Sequence, residues 1–436
     1  MMKNSTYCVN KLEPLLALRA FACLLVLAMH CYGALPQSNW EKVWLINDHN
    51  LSWLLYTPGQ VGVWIFFCLS GYLMGKAFYT SRYPISRLGI LNFWRNRILR
   101  ILPLYYFNLL LLFIFVTPTI LKPENWEFIY RMFVLDYQED LPYNPNGALW
   151  SVSTEFQYYM FAPFVFVILN QFVKTNKRIL LTLVLCILFV LLARTVFWLE
   201  LRPSIFLWQE AIYHPLYFNI DLFVTGFLIN PALRNQVKTN SIHSFYKSIN
   251  RYKLILLIMI LGAFYLVSAY ISYNTFVETR QEYQDLFVLG LPVLTGLTTA
   301  FVIYNCEYDR VIVCAHLKNE KLSVSACLRN PLRIVEVFGI LTYGIYIWHS
   351  PLLESIEKVF YLPIPLNDLL LKFIVVFVLS TLLASITYFT IEVPTERLKA
   401  FSSPVVRKRS SVLILPDHQH HAAHNQPQPR QTREGN

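Results

Sequence analysis

Long apolar runs separated by shorter polar segments recur along the whole chain. About ten runs approach the ~20 residues that a helix needs to cross a bilayer. They lie at about 14 to 34, 58 to 79, 98 to 120, 148 to 169, 179 to 199, 213 to 232, 253 to 274, 285 to 304, 334 to 354 and 366 to 391. The pattern predicts an all-α fold, a polytopic integral membrane bundle of about ten transmembrane helices. The run at 213 to 232 is the weakest, because Pro215, Asn219 and Asp221 interrupt it.

Lysine and arginine are distributed unevenly between the two ends of these runs. With the N-terminus placed inside, the segments on the inner side hold about 26 of them and the five outer loops about 6. The positive-inside rule therefore predicts that the N- and C-termini are both cytoplasmic. The same asymmetry accounts for the net charge of +11, so no nucleic-acid partner is expected.

Composition supports a membrane protein and argues against a metal site. The chain is 56% hydrophobic and only 14% charged, a balance that a soluble protein of this size does not have. Its eight cysteines lie in apolar runs or predicted cytoplasmic segments, so we expect reduced thiols. Cys306, Cys314, His316 and Cys327 fit no common zinc spacing, and no metal is expected there. No cleavable signal peptide is expected either.

Arg19 and His30 lie inside the first apolar run. At about 100° per residue, their spacing puts both side chains on one helical face, about 16 Å apart. A charge at membrane depth costs at least about 2.5 kcal/mol, which favours a protein interior or a wet cavity with a function. Alternatively, Arg19 extends to the cytoplasmic surface and His30 to the opposite one. The residues alone leave both interpretations open.

Arg97 and Arg100 stand at the predicted cytoplasmic mouth of the third run. They are three residues apart and hence neighbours on a helical face. Paired guanidinium groups are suited to binding phosphate. Ordinary positive-inside anchoring or contact with lipid headgroups is the alternative.

Two further ionisable residues are predicted to lie in the outer half of the membrane, and a third lies in a weaker run. Glu155 lies about two turns inside the fourth run, at the depth predicted for His30, and the two are candidates for an acid/base pair. His349 falls near the outer side of the ninth run, either at an acceptor site or at the membrane interface. Asp221 is an intramembrane carboxylate with no predicted partner or role.

The ends of the chain differ from its apolar part. Residues 1 to 13 are predicted to be a cytoplasmic segment and residues 14 to 397 one transmembrane domain. The polar tail at 403 to 436 has too little apolar content to fold alone and is predicted to be disordered. A loose metal site is the alternative for its four clustered histidines, His418, His420, His421 and His424.

Six features in order make the chain similar to a known family. They are Arg19 with His30, Phe66-Phe-Cys-Leu-Ser-Gly71, Arg97-Ile-Leu-Arg100, Trp150-Ser-Val-Ser-Thr-Glu155, Tyr346-Ile-Trp-His349 and Ile391-Glu392-Val-Pro394. With these features the chain resembles the membrane-bound acyltransferase-3 family, which O-acylates carbohydrates and other envelope molecules, over about residues 14 to 397.

The resemblance implies functional roles for five residues and a donor. The residues are Arg19, His30, Arg97, Arg100 and Glu155, and the donor is acyl-CoA, with acetyl-CoA as co-substrate and no bound cofactor. Some family members carry a C-terminal esterase-like domain, and we expect none in this chain. The expected setting is a bacterial inner membrane, where the protein contacts the lipid bilayer and a carbohydrate or glycolipid acceptor such as lipopolysaccharide O-antigen.

These residues suggest a mechanism and leave rivals. Arg97, Arg100 and Arg19 would grip the donor phosphates, His30 would act as general base, and Glu155 would orient its imidazole. A route through an acyl-histidine remains open. The rival class is a secondary transporter, in which the intramembrane Arg, His and Glu form a substrate path. A glycan polymerase or ligase is less favoured, since it would need larger outer loops. Acceptor identity, acyl chain length, oligomeric state and any protein partner stay open.

Overall fold

The computed structural model of the protein describes residues 12–400 except 48, 138–140, 142, 202–206, 240–252 and 309–321. Most of the predicted N-terminal segment, the tail at 403 to 436, Cys314 and His316 lie outside the described residues. The predictions made for them therefore stay predictions.

The described chain is built almost entirely of helices. In chain order the α-helices are α1 (Pro14–Gly33), α2 (Gly59–Tyr79), α3 (Arg87–Phe115), α4 (Trp126–Phe133), α5 (Leu149–Phe172), α6 (Asn176–Leu201), α7 (Ile220–Thr239), α8 (Lys253–Phe276), α9 (Gln281–Asp285), α10 (Leu291–Tyr308), α11 (Val324–Arg329), α12 (Ile334–Glu357), α13 (Pro365–Thr387) and α14 (Val393–Ala400).

Shorter elements connect and extend these helices. The 3₁₀ turns are Gln37–Lys42, Ser52–Leu54, Pro118–Leu121, Pro123–Asn125, Leu216–Phe218 and Pro331–Arg333. The π turns are Gln209–Tyr213, Leu286–Gly290 and Tyr388–Glu392. An antiparallel hairpin of β1 (Leu45–Ile46) and β2 (His49–Asn50) lies in the loop between α1 and α2.

Nine helical segments in the described part of the chain are long and apolar enough to cross a membrane. They contain α1, α2, α3, α5, α6, α8, α10, α12 and α13, which confirms the polytopic helical class. The remaining predicted run, 213 to 232, holds the end of a π turn, a 3₁₀ turn and the first part of α7, and α7 is not among the nine. Asn219, Asp221 and Asn230 make this stretch more polar, and all three are buried by neighbouring helices.

Helix α2 lies at the centre of the bundle, where it packs against α1, α5, α7 and α10. Its contact with α7 is close because glycines meet backbone on both sides. A Cβ on Gly71 would stand 1.9 Å from the carbonyl oxygen of Phe223, and one on Gly226 would stand 1.9 Å from that of Cys68. Small residues on the facing sides of α2 and α7 therefore let the two helices pack closely.

Asp221 forms an ion pair with Arg194 inside the bundle. An Arg194 Nη2 atom lies 2.8 Å from Asp221 Oδ1, and both side chains are almost fully buried. The Nε of Arg194 also donates to the carbonyl oxygen of Phe218 at 2.9 Å. The pair joins α6 to the start of α7, so the carboxylate that lacked a predicted partner has a structural one.

Two more buried ion pairs fix the helices around α1. Lys372 lies 2.9 Å from Asp368 within α13 and donates to the carbonyl oxygen of Ala34 at 3.0 Å, just beyond the end of α1. Arg333 lies 2.9 Å from Glu336 at the start of α12. The backbone N–H of Glu13, just before α1, donates to Glu336 at 2.9 Å, so both pairs help to hold α12 and α13 against α1, which packs on both.

Candidate active site

A cavity of about 90 Å³ lies between α1, α2, α3, α5 and α12. The side chains that line it include Arg19, Arg100, Ser70, Glu155 and Tyr159. These residues come from four helices that are far apart in the sequence. Four of the six predicted site positions are therefore at this cavity or next to it, since Arg97 contacts the ring of Tyr159.

The three predicted donor-binding arginines gather at the cavity. Arg97 places its guanidinium carbon 5.7 Å from the ring centre of Tyr159 and 5.8 Å from that of Phe93. One helical turn on, Arg100 lines the cavity directly. Arg19 on α1 lies close enough to interact electrostatically with Arg97 and Arg100. The three arginine side chains are half-buried. The grouping concentrates positive charge in one partly enclosed place.

The only carboxylate lining this cavity among the described residues belongs to Glu155. It accepts hydrogen bonds from the hydroxyl groups of Ser70 on α2 and of Tyr159, one turn along α5. Its charge also acts on Arg19. Glu155 is thus a fixed negative charge among cations.

His30 and His349 meet in a second place. Their ring centres are 5.0 Å apart with an interplanar angle of 82°, an edge-to-face contact between α1 and α12. The Nδ1 of His349 lies 2.6 Å from the carbonyl oxygen of Tyr346. His349 is 1% exposed, and its Nε2 has no hydrogen-bond partner among the described residues.

The predicted pairing of Glu155 with His30 is not the arrangement in the structure. The hydrogen bonds of Glu155 go to Ser70 and Tyr159, whereas His30 contacts His349. Helix α5 packs on α2 and α3, while α1 packs on α2, α12 and α13. Depth in the membrane was inferred from position along each helix, but it does not say which faces meet.

Tyr346 separates the cavity from the two histidines. Its side chain lines the cavity, and its hydroxyl lies 2.6 Å from Ser151 Oγ. Its carbonyl oxygen contacts His349, and its ring centre is 5.4 Å from that of His349. Ser70 and Tyr346 belong to two of the sequence motifs, whereas Tyr159 lies outside all of them and no sequence signal pointed to it.

A proline explains how α12 is fixed at this point. Pro351 has no N–H, so it cannot bond the carbonyl of Ile347 one turn earlier. The side-chain amide of Asn146, just before α5, donates to that carbonyl at 2.9 Å and is 3.1 Å from Asn108 Oδ1. The contact ties the turn that carries His349 to the start of α5.

No group of three or more His, Cys, Asp or Glu side chains suited to a metal occurs in the described ranges. The six cysteines in the same ranges are free thiols, in line with expectation.

Comparison with known proteins gives a family and several relatives. Residues 15–389 match a family described as "Acyltransferase domain", the acyltransferase-3 family. The chain is 25% identical over 375 residues to "Peptidoglycan O-acetyltransferase OatA" of Listeria monocytogenes, covering 81% of this chain and 51% of the relative. It is 23% identical over 379 residues to "O-acetyltransferase OatA" of Staphylococcus aureus, covering 82% and 56%.

A third relative is "Putative peptidoglycan O-acetyltransferase YrhL" of Bacillus subtilis, which is 25% identical over 419 residues, covering 89% of this chain and 56% of the relative. The chain therefore spans about half the length of the curated relatives it matches. No solved structure matches it.

Proposed function

Because the chain belongs to the acyltransferase-3 family, we propose that it is a membrane O-acyltransferase that moves an acetyl group from acetyl-CoA to a hydroxyl of an envelope carbohydrate. The observation that carries the proposal is the cavity where Arg19, Arg97 and Arg100 gather. Acetyl-CoA bears several phosphates, and arginine binds phosphate through paired hydrogen bonds.

The donor enters from the side where α3 begins, which the positive-inside rule assigns to the cytoplasm. Arg97 and Arg100 hold its phosphates there, while the narrower acyl arm reaches toward Arg19 and Tyr346. Glu155 limits the positive charge of the cavity and holds Ser70 and Tyr159 in place. We therefore assign Glu155 to the donor cavity, and it does not orient the imidazole of His30.

His30 performs the proton transfer of the reaction. It takes the proton from the acceptor hydroxyl as the hydroxyl oxygen bonds to the thioester carbonyl carbon. The carbon–sulfur bond then breaks, and His30 returns the proton to the departing CoA thiolate. An imidazole suits both steps because it titrates near neutrality.

The acceptor is proposed to be a carbohydrate on the outer side of a bacterial plasma membrane. His30 is three residues before the outer end of α1, which favours an outer acceptor. Two of the relatives are named as peptidoglycan O-acetyltransferases, which makes peptidoglycan the first acceptor to test, with lipopolysaccharide as the second.

The test is transfer of label from radioactive acetyl-CoA to peptidoglycan glycan strands in membranes that contain the protein. Wild type should transfer label, and His30→Ala should lose about 10²- to 10⁴-fold of the rate, the usual contribution of a general base. His49→Ala, an exposed histidine on β2, is the matched control and should keep the wild-type rate. Transfer by His30→Ala at the rate of the control would rule out His30 as the general base. Absence of transfer by wild type to either carbohydrate would overturn the proposed function.

The direction of transfer needs sealed vesicles. Acetyl-CoA supplied on the cytoplasmic face should label acceptor present only on the opposite face. Labelling that occurs only when acceptor and donor share the cytoplasmic face would refute transfer across the membrane while leaving acyl transfer itself intact.

A further inference from the structure

We propose that His349 is the positioning residue for His30: it accepts a hydrogen bond from the imidazole of His30 and so leaves the other nitrogen of His30 free to take the acceptor proton. The inference rests on the proposed function and adds a residue to it. His349 thereby takes the orienting role that was predicted from the sequence for Glu155.

The hydrogen bonding of His349 defines which of its nitrogens is basic. A backbone carbonyl oxygen is only an acceptor, so the 2.6 Å contact with Tyr346 requires a proton on Nδ1 of His349. In the neutral ring, Nε2 then carries the lone pair. The tautomer is therefore fixed by the helix backbone itself.

His30 is the group in contact with this ring that has a proton to give. Nε2 of His349 is buried and has no partner in the described part of the chain. The ring of His30 stands edge-to-face at 5.0 Å, so a rotation of the His30 imidazole directs its N–H toward Nε2 while His349 keeps its contact with Tyr346. Buried acceptors are normally satisfied, which favours this contact in the reacting state.

The arrangement suits the charge that His30 acquires. When His30 takes the hydroxyl proton it becomes a cation, and neutral His349 stabilises it as a hydrogen-bond acceptor. Because two neighbouring imidazolium ions would repel each other, His349 binds no proton of its own while His30 carries the hydroxyl proton. It leaves His30 for the CoA thiolate when the carbon–sulfur bond breaks, and His349 gains and loses no proton.

The position of His349 is held from outside its own helix. Asn146 binds the carbonyl of Ile347, which Pro351 leaves without its usual helical donor. This contact fixes the turn of α12 that presents His349. A residue whose only task was to fill space would not need a fixed tautomer as well.

The test compares His349→Phe and His349→Gln in the labelled-acetyl assay. Phe keeps the ring shape but removes the acceptor, whereas the amide oxygen of Gln restores an acceptor near the position of Nε2. We expect the kcat of His349→Phe to be about 10- to 100-fold below that of wild type, which is part of the rate enhancement that a general base supplies. The KM for acetyl-CoA should stay within about twofold of wild type in both variants. His349→Gln should recover at least about a third of the loss in log kcat that His349→Phe shows.

Trp348→Phe, at the neighbouring buried position, is the control for packing, and size-exclusion profiles in detergent check folding of every variant. The inference is overturned if His349→Phe keeps the wild-type kcat, if the kcat of His349→Gln is no higher than that of His349→Phe, or if the KM for acetyl-CoA changes by as large a factor as kcat. Equal transfer of acetyl by wild type and His349→Phe would reject the role of His349 and leave the proposed function intact. Absence of transfer by wild type rejects the proposed function and this inference with it.

Discussion

Charged side chains inside the bundle form two groups that differ in how their charges are matched. In the first group each cation has a carboxylate of its own: Arg194 with Asp221, Lys372 with Asp368, and Arg333 with Glu336, all at 2.8 or 2.9 Å and nearly fully buried. Each pair is closed and lines no part of the cavity. The first pair joins two helices, and the other two, each within one helical segment, contact residues that flank α1.

In the second group, three cations share one cavity carboxylate. Arg19, Arg97 and Arg100 gather at the cavity, and Glu155 there accepts its hydrogen bonds from hydroxyl groups. The one salt bridge described for these arginines joins Arg100 to Glu396 of α14, at 3.4 Å between two partly exposed side chains. Glu392 also acts on the charge of Arg100, but no salt bridge between them is described, so the cations of this group are not paired one to one as in the first.

The difference separates structure from function. A buried charge is costly unless a partner compensates it, so a closed pair needs nothing more. Clustered arginines with an excess of positive charge beside a cavity leave room for an anionic ligand to supply the compensation. Intramembrane charge alone therefore does not identify a site, whereas unmatched charge beside a cavity does.

The largest effect should come from breaking a closed pair. Asp221→Leu leaves Arg194 buried without its carboxylate, which should cost about 3 to 5 kcal/mol of stability. The thermal unfolding midpoint in detergent, followed by tryptophan fluorescence, should fall clearly. Replacing both residues, as Arg194→Met with Asp221→Leu, should recover much of the loss. A single variant as stable as wild type would place Asp221 in the functional group instead.

Removing an unmatched cation should have the opposite pattern. Arg19→Gln relieves repulsion from Arg97 and Arg100, so the unfolding midpoint should stay at or above the wild-type value. The KM for acetyl-CoA should rise about tenfold or more, because hydrogen bonds to charged groups are worth about 1.5 to 3 kcal/mol. A large loss of stability with unchanged KM would assign Arg19 to the structural group.

The smallest effect should come from the exposed contact at the cavity mouth. Glu396 competes with donor phosphate for Arg100, so Glu396→Gln should lower the KM for acetyl-CoA. Exposed ion pairs contribute about 0 to 1 kcal/mol, which limits the change to about fivefold. The effect should shrink at high salt. A KM that rises in this variant would mean that Glu396 helps to bind the donor.

The fold class followed from the sequence because the length and apolarity of each run set its ability to cross a membrane. The run at 213 to 232 was the exception. Its polar residues are satisfied inside the protein, and hydropathy along one segment carries no information about which partners surround it. Arg194, the partner of Asp221, lies 27 residues away on another helix and could be paired with it only in three dimensions.

For the candidate site, the residue identities were more predictable than their neighbours. Motif spacing singled out the three arginines, and the structure gathers them at one cavity. Spacing also singled out His30, Glu155 and His349, but the pairing among them depended on how helices rotate about their axes. Helix rotation put Glu155 with the arginines and His349 with His30, and periodicity within one helix cannot report it.

The division between donor cavity and proton-transfer pair is tested most directly by acetyl-CoA binding to the purified protein in detergent, measured by calorimetry. We predict that Arg100→Ala weakens binding about tenfold or more, because it removes a charged contact to phosphate. His30→Ala should bind acetyl-CoA within about twofold of wild type, although it transfers acetyl groups about 10²- to 10⁴-fold more slowly. Equal binding by wild type and Arg100→Ala, or loss of binding in His30→Ala, would contradict this division.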